Sequence, residues 1–169
     1  NIEVQNERLV SRPGVSDLDA FGIQVLNSSH QSMSNLIFRN LKITNVYAPI
    51  PVLKDQGENS FNKLVVSGIR FKSDRNTTPG REKHIRDVII ENCYFSNIQR
   101  LGIYIAHAGG HKGVGNEKLN SNMNFVVRNN EFHRTGGSCV LPIRTYNCLI
   151  ENNLFNYPGE ASRLDLSAT

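Results

Sequence analysis

The sequence predicts an all-β chain wound as a parallel β-helix of about five to six coils, and three observations carry that reading. The first is a phrase that recurs five times: Leu-Ile-Phe-Arg-Asn-Leu-Lys-Ile (36–43), Leu-Val-Val-Ser-Gly-Ile-Arg-Phe (64–71), Val-Ile-Ile-Glu-Asn-Cys-Tyr-Phe (88–95), Phe-Val-Val-Arg-Asn-Asn-Glu-Phe (125–132) and Cys-Leu-Ile-Glu-Asn-Asn-Leu-Phe (148–155). Repetition every few tens of residues is the signature of a solenoid. The second is the alternation of apolar residues inside each phrase, a period of two that means strand. The third is the spacing of the central residues Asn40, Gly68, Asn92, Asn129 and Asn152, at 28, 24, 37 and 23 residues. These intervals suit one turn of a coil of short strands and are too short for crossovers with long helices.

Each element follows from the phrase. Leu36/Phe38, Leu64/Val66, Val88/Ile90, Phe125/Val127 and Cys148/Ile150 point inward before the central residue, and Ile43, Phe71, Phe95, Phe132 and Phe155 resume after it. The central Asn is a bend: it tolerates the left-handed backbone, as does Gly68 in its place. Stacked at one strand spacing, the Asn amides can form a ladder from coil to coil, and Phe71, Phe95, Phe132 and Phe155 an aromatic column. A second strand per coil is expected at 22–26, 50–53, 102–106 and 139–143.

The outward positions divide into two columns. Ile37, Val65, Ile89, Val126 and Leu149 make an apolar stripe too continuous to face water alone. Either the insertions at 54–62, 73–86 and 108–123 fold over it, or a second chain or further coils cover it. Arg39, Ser67, Glu91, Arg128 and Glu151 form a solvated column in which Glu91, Arg128 and Glu151 alternate in sign.

Composition bounds the function classes. The 169 residues, 38% of them hydrophobic and none Trp, read as one domain over 1–169, which starts at Asn1 as a cleaved or excised chain would and fits as part of a longer β-helix. No apolar run has the length of a membrane span and no signal peptide opens the chain. Three cysteines are neither a disulfide framework nor a metal set; they read as small buried hydrophobes. The net charge of +4 and pI near 9.1 fit an acidic polysaccharide better than nucleic acid, since no basic cluster is interleaved with aromatics. No cofactor is implied; calcium is compatible with the fold but has no Asp cluster to hold it.

Across residues 20–157 the repeat resembles that of right-handed parallel β-helix proteins of the pectate-lyase-like group. The resemblance supplies the handedness, and it implies a secreted or periplasmic protein acting on glycans. The phrase Asn129-Asn130-Glu131-Phe132-His133-Arg134-Thr135-Gly136-Gly137 is also similar to Asn-x-(Ile/Phe)-His-x-Thr-Gly-Gly of β-helical glycoside hydrolases. It departs after the glycines, where Ser138-Cys139-Val140 replaces the usual Gly-Ile. In that family the His lies close to the substrate cleft, which marks His133 here.

Tyr104-Ile105-Ala106-His107-Ala108-Gly109-Gly110-His111-Lys112-Gly113 is the densest run of reactive groups, leading from a strand into the longest insertion. Loops carried by a rigid scaffold are where function usually sits. His107 can serve as a general acid or base, and Lys112 or Arg144 can neutralise a substrate carboxylate. Stacking places Arg144 and Tyr146 near Tyr104 and His107, so Tyr104, His111, Lys112, Arg144 and Tyr146 are the expected substrate contacts. A glycosidase also needs two carboxylates about 5 to 10 Å apart; Glu160 with Asp165 is the pair assigned, and Asp55 with Glu58 an alternative. The expected function is cleavage of glycosidic bonds by a hydrolase, with a uronate-directed lyase or a non-catalytic carbohydrate-binding or adhesin solenoid as alternatives.

Overall fold

The computed structural model of the protein describes residues 2–5, 20–28, 31–47, 65–73, 83–107 and 121–159. Among these there is no helix. The strands are β1 (Ile2–Gln5), β2 (Ala20–Asn27), β3 (Met33–Arg39), β4 (Leu41–Val46), β5 (Val66–Ser73), β6 (Ile85–Glu91), β7 (Tyr94–Ile98), β8 (Leu101–His107), β9 (Asn122–Arg128), β10 (Glu131–Thr135), β11 (Val140–Pro142), β12 (Thr145–Glu151) and β13 (Leu154–Pro158). Every pairing is parallel, and every third strand shares a sheet. Sheet I runs β1-β4-β7-β10-β13, sheet II β2-β5-β8-β11 and sheet III β3-β6-β9-β12. The chain is a parallel β-helix. The described residues make four complete three-strand turns, with β1 beside β4 as one strand of a turn below the first.

Left-handed residues set the rhythm. Asn35, Asn40 and Asn45 have φ near 60°, and so do Asp87, Asn92 and Asn97; Asn124, Asn129 and Arg134; and Asn147, Asn152 and Tyr157. Every fifth residue thus resets the strand alternation, so that inward positions resume in phase on the next face. Asn dominates because its short polar side chain lowers the cost of this conformation.

The phrase at 64–71 does not belong with the other four. Its strand β5 lies in sheet II between β2 and β8, with Ile69 level with Ile23 and Ile103. Gly68 therefore stacks on Gly22 and Gly102, not on the Asn bends. A Cβ at Gly68 would lie 2.7 Å from the Gly102 carbonyl oxygen and 2.9 Å from the Phe95 ring; at Gly102 it would lie 2.4 Å from the Cys139 oxygen. Close approach of the turns explains these glycines. Val65 and Ser67 accordingly leave the outward columns, and Phe71 leaves the aromatic one. Phe95, Phe132 and Phe155 do stack, with centroids 4.6 and 5.4 Å apart and interplanar angles of 6° and 25°. Ile43 continues their column below, and Phe71 instead packs edge-on between Phe38 and Phe125.

The amide ladder is displaced by one residue. Asn40, Asn92, Asn129 and Asn152 are the bends themselves, whereas the next residues, Cys93, Asn130 and Asn153, turn inward. Asn130 Oδ1 accepts from the Cys93 N–H (2.9 Å), and Asn130 Nδ2 donates to the Ile90 carbonyl and to Asn153 Oδ1 (both 3.0 Å). Asn153 Nδ2 donates to the Val127 carbonyl (2.9 Å). These bonds satisfy backbone groups freed at the bend between sheets III and I. The apolar part of the core is built on Ile69, Phe71, Val88, Ile90, Ile103, Ile105, Phe125 and Val127. At the last described turn the inward-facing Ile150 and Phe155 are 41% and 44% exposed. Residues 50–53 lie outside the described residues.

Candidate functional site

Sheets II and III meet at a polar corner. Asn27, Ser73 and His107 stack at the inner end of sheet II, all buried. Asn122 faces them from β9. Its Oδ1 accepts from the Ile85 N–H (3.0 Å) and from the Ser73 hydroxyl, and its Nδ2 donates to the Ala106 carbonyl (2.8 Å). The buried His84 contacts the Ser121 carbonyl through Nδ1 (2.6 Å), 6.3 Å from the His107 ring. This net gives partners to backbone groups at the corner, as buried polar groups require. With only 4% of it exposed, His107 serves this corner rather than an open cleft.

The expected gathering of Tyr104, His107, Arg144 and Tyr146 is divided among three places. Arg144, left-handed at φ 53°, donates from Nη1 to the His107 carbonyl (2.9 Å), so these two do meet. Tyr104 lies on the outer face of sheet II, level with Arg70 and Leu141. The Arg70 guanidinium sits over the Phe21 ring at 4.7 Å and 6.0 Å from that of Tyr104. Tyr146 is on sheet III, level with Met123 and 45% exposed. His111, Lys112, Glu160 and Asp165 lie outside the described residues, as do Asp55 and Glu58.

His133 is elsewhere again, on the outer face of sheet I. Counting from each Asn bend, the second and fourth following residues face outward. They form the columns Lys42, Tyr94, Glu131, Leu154 and Thr44, Ser96, His133, Asn156. The His133 ring lies 5.2 Å from that of Tyr94, tilted by 36°. Asn156 Nδ2 reaches His133 Nδ1 at 3.4 Å; an amide nitrogen can only donate, so this contact favours an Nδ1 that accepts. The other nitrogen, Nε2, then carries the proton 3.9 Å from Glu131 Oε1. The His133 side chain is 28% exposed and that of Glu131 49%, so both are reached by solvent. Arg134 follows His133 directly in β10. Burial pushes the Tyr47 phenol up, and the Arg134 cation draws it partly back.

This face combines an oriented imidazole, a carboxylate, an aromatic ring and a cation within two neighbouring turns. It can bind polar ligands, exchange a proton with them and hold an anionic group. Cysteine chemistry is disfavoured, because burial pushes the thiols of Cys93, Cys139 and Cys148 up and away from thiolate formation. Among the described residues no three His, Cys, Asp or Glu side chains converge as a metal site, and no helix is long and apolar enough to cross a membrane. Tyr94, Glu131 and Asn156 were not singled out in the sequence, although the outward count from the Asn bend identifies all three once the turns are in register.

No family description, curated protein or solved structure matches this chain.

Proposed function

We propose that the protein is a glycan-directed β-helix that cleaves glycosidic bonds on the outer face of sheet I. The observation that carries this reading is the register that brings Tyr94, Glu131, His133 and Asn156 together on one solvent-facing surface. Parallel stacking repeats polar side chains about every 4.8 Å, a spacing comparable to that of units along an extended saccharide. Tyr94 offers a ring face for the apolar side of a sugar, and the Glu131–His133 pair offers proton transfer at the bond being broken. Arg134 favours substrates with uronate or other acidic groups. The likeness of the phrase around His133 to that of β-helical glycoside hydrolases supports the same assignment. It also favours secretion or a periplasmic location, where such substrates are met. The reaction as proposed uses side chains alone, without a cofactor.

A second reading, a carbohydrate-binding module without catalysis, is favoured by one observation: along β4, β7, β10 and β13, Glu131 is the one carboxylate in the outward columns of this face. A hydrolase of the usual kind needs two. Incubation with a panel of neutral and uronate polysaccharides separates the readings. Reducing ends alone mean a hydrolase. Reducing ends with the ultraviolet absorbance of an unsaturated uronide mean a lyase, and retarded migration in glycan gels without products means a binding module. For an enzyme of either kind, His133→Ala and Glu131→Gln should each lower turnover by about 10²-fold or more with unchanged melting temperature. Wild-type turnover in both variants would remove the site from this face.

A further inference from the structure

The outer face of sheet III carries four columns in register. The apolar stripe is Ile37, Ile89, Val126 and Leu149, and its ends are open, with Ile37 59% and Leu149 50% exposed. On one side runs Arg39, Glu91, Arg128 and Glu151. On the other lies a left-handed column, Asn35, Asp87, Asn124 and Asn147, in which Asn124 Nδ2 donates to Asp87 Oδ1 (2.8 Å) and Asn147 Nδ2 to Asn124 Oδ1 (3.3 Å). Ser34, Arg86, Met123 and Tyr146 form the outermost column.

The charges on this face cancel: Arg39, Arg86 and Arg128 against Asp87, Glu91 and Glu151. In a chain of net charge +4, a neutral face around an apolar stripe is not built to attract a highly charged polymer or surface. The order of the charges is more specific. Along the solenoid the column reads plus, minus, plus, minus, so the same column read from its other end reads minus, plus, minus, plus.

We infer that this face is a homodimer interface, occupied by a second copy of the chain turned about a twofold axis parallel to the strands. That rotation keeps each column opposite itself and reverses the order of the turns. Arg39 then faces Glu151 of the second copy, and Glu91 faces Arg128. Ile37 faces Leu149, and Ile89 faces Val126, so the stripe closes on itself. The alternative twofold, along the solenoid axis, sets Glu91 against Asp87 and makes no opposite-charge pair across the charge column. Self-complementarity of this kind is what an isologous interface requires.

Area limits the strength. Four strands of seven residues, at about 4.8 Å between strands and about 3.3 Å per residue, present roughly 400 Å² per copy. A standard interface buries about 800 Å² per partner. The dimer is therefore weak and concentration-dependent. The inference is independent of the glycan reading, since it uses a different sheet.

Sedimentation equilibrium of the whole chain, from micromolar to near-millimolar, tests it together with Ile37→Asp and Leu149→Lys. Both side chains are half exposed, so both variants should fold, which circular dichroism verifies. The wild type should dimerise as its concentration rises. Each variant alone should stay monomeric, because its new charge faces an apolar side chain. An equimolar mixture of the two should dimerise again, because the carboxylate introduced at position 37 of one copy meets the ammonium introduced at position 149 of the other. A wild type that is monomeric throughout, variants that dimerise as well as the wild type, or a mixture that remains monomeric would each overturn the arrangement.

Discussion

Asn129 holds a φ of 55°, and its backbone amide donates to the Glu151 carbonyl of the next turn (3.3 Å). The left-handed conformation costs an ordinary L-residue about 1–2 kcal/mol, and Asn or Gly less. Asn129→Ala should therefore lower stability by about 1 kcal/mol, while Asn129→Gly stays within a few tenths of the wild type. Urea denaturation of the three proteins measures the difference, and equal losses in both variants would place the effect in the side chain's contacts. This residue was legible in the sequence because backbone strain is a local property. Gly68 was not. A glycine at a bend and a glycine under a neighbouring turn look alike in one dimension, and only the 2.7 Å approach of the Gly102 oxygen to its missing Cβ separates them.

At the scale of the strand, sheet III is tied across three turns by Glu91. Its carboxylate accepts from Arg128 Nε (2.8 Å) and is bridged by Arg39 from the turn below. These contacts hold the Glu91 carboxyl below the usual carboxylate range, the Arg128 hydrogen bond first and that of Arg39 next. A carboxyl with a depressed folded pKa stabilises the fold fully above its unfolded pKa, and that contribution is lost as pH falls through the lower folded value. The melting-temperature gap between wild type and Glu91→Gln should be widest above about pH 5 and should close as the medium is made more acidic. A gap that is constant across the acid range would mean that shape, not charge, matters at this position. The alternation in sign was visible in the sequence. Its proper members were not, because the phrase at 64–71 has the same period of two and brought Ser67 into the column. Hydrogen bonding to β2 and β8 decides otherwise.

Across the whole molecule, protection should vary along the solenoid axis. Each turn rests only on its neighbours, so stability is close to a sum over turns and their interfaces. The middle turns enclose side chains such as Ile90, Phe95, Val127 and Phe132, at most 1% exposed, whereas Ile150 and Phe155 face inward and are nearly half exposed. Hydrogen exchange should accordingly be faster for the backbone amides of β12 and β13 than for those of β6, β7, β9 and β10. Uniform protection from β6 to β13 would show that the solenoid opens only as a unit. At this scale the sequence marks both His133 and His107 as candidates without saying where either lies. The structure places the first on the open face of sheet I and the second in the closed corner between sheets II and III.

From the order of residues alone it follows that this chain is all-β, that it coils in parallel and that Asn marks the bends. Those properties rest on period, propensity and backbone strain, which act over a few residues. The same local rules separate inward from outward side chains within each short strand. Which strand lies on which, and so which side chains share a face, is settled only when the turns pack on one another. Register depends on insertions of unequal length between the turns, and a shift of a whole strand leaves the local pattern unchanged. Tyr94, Glu131, His133 and Asn156 therefore become neighbours only when the coils are stacked.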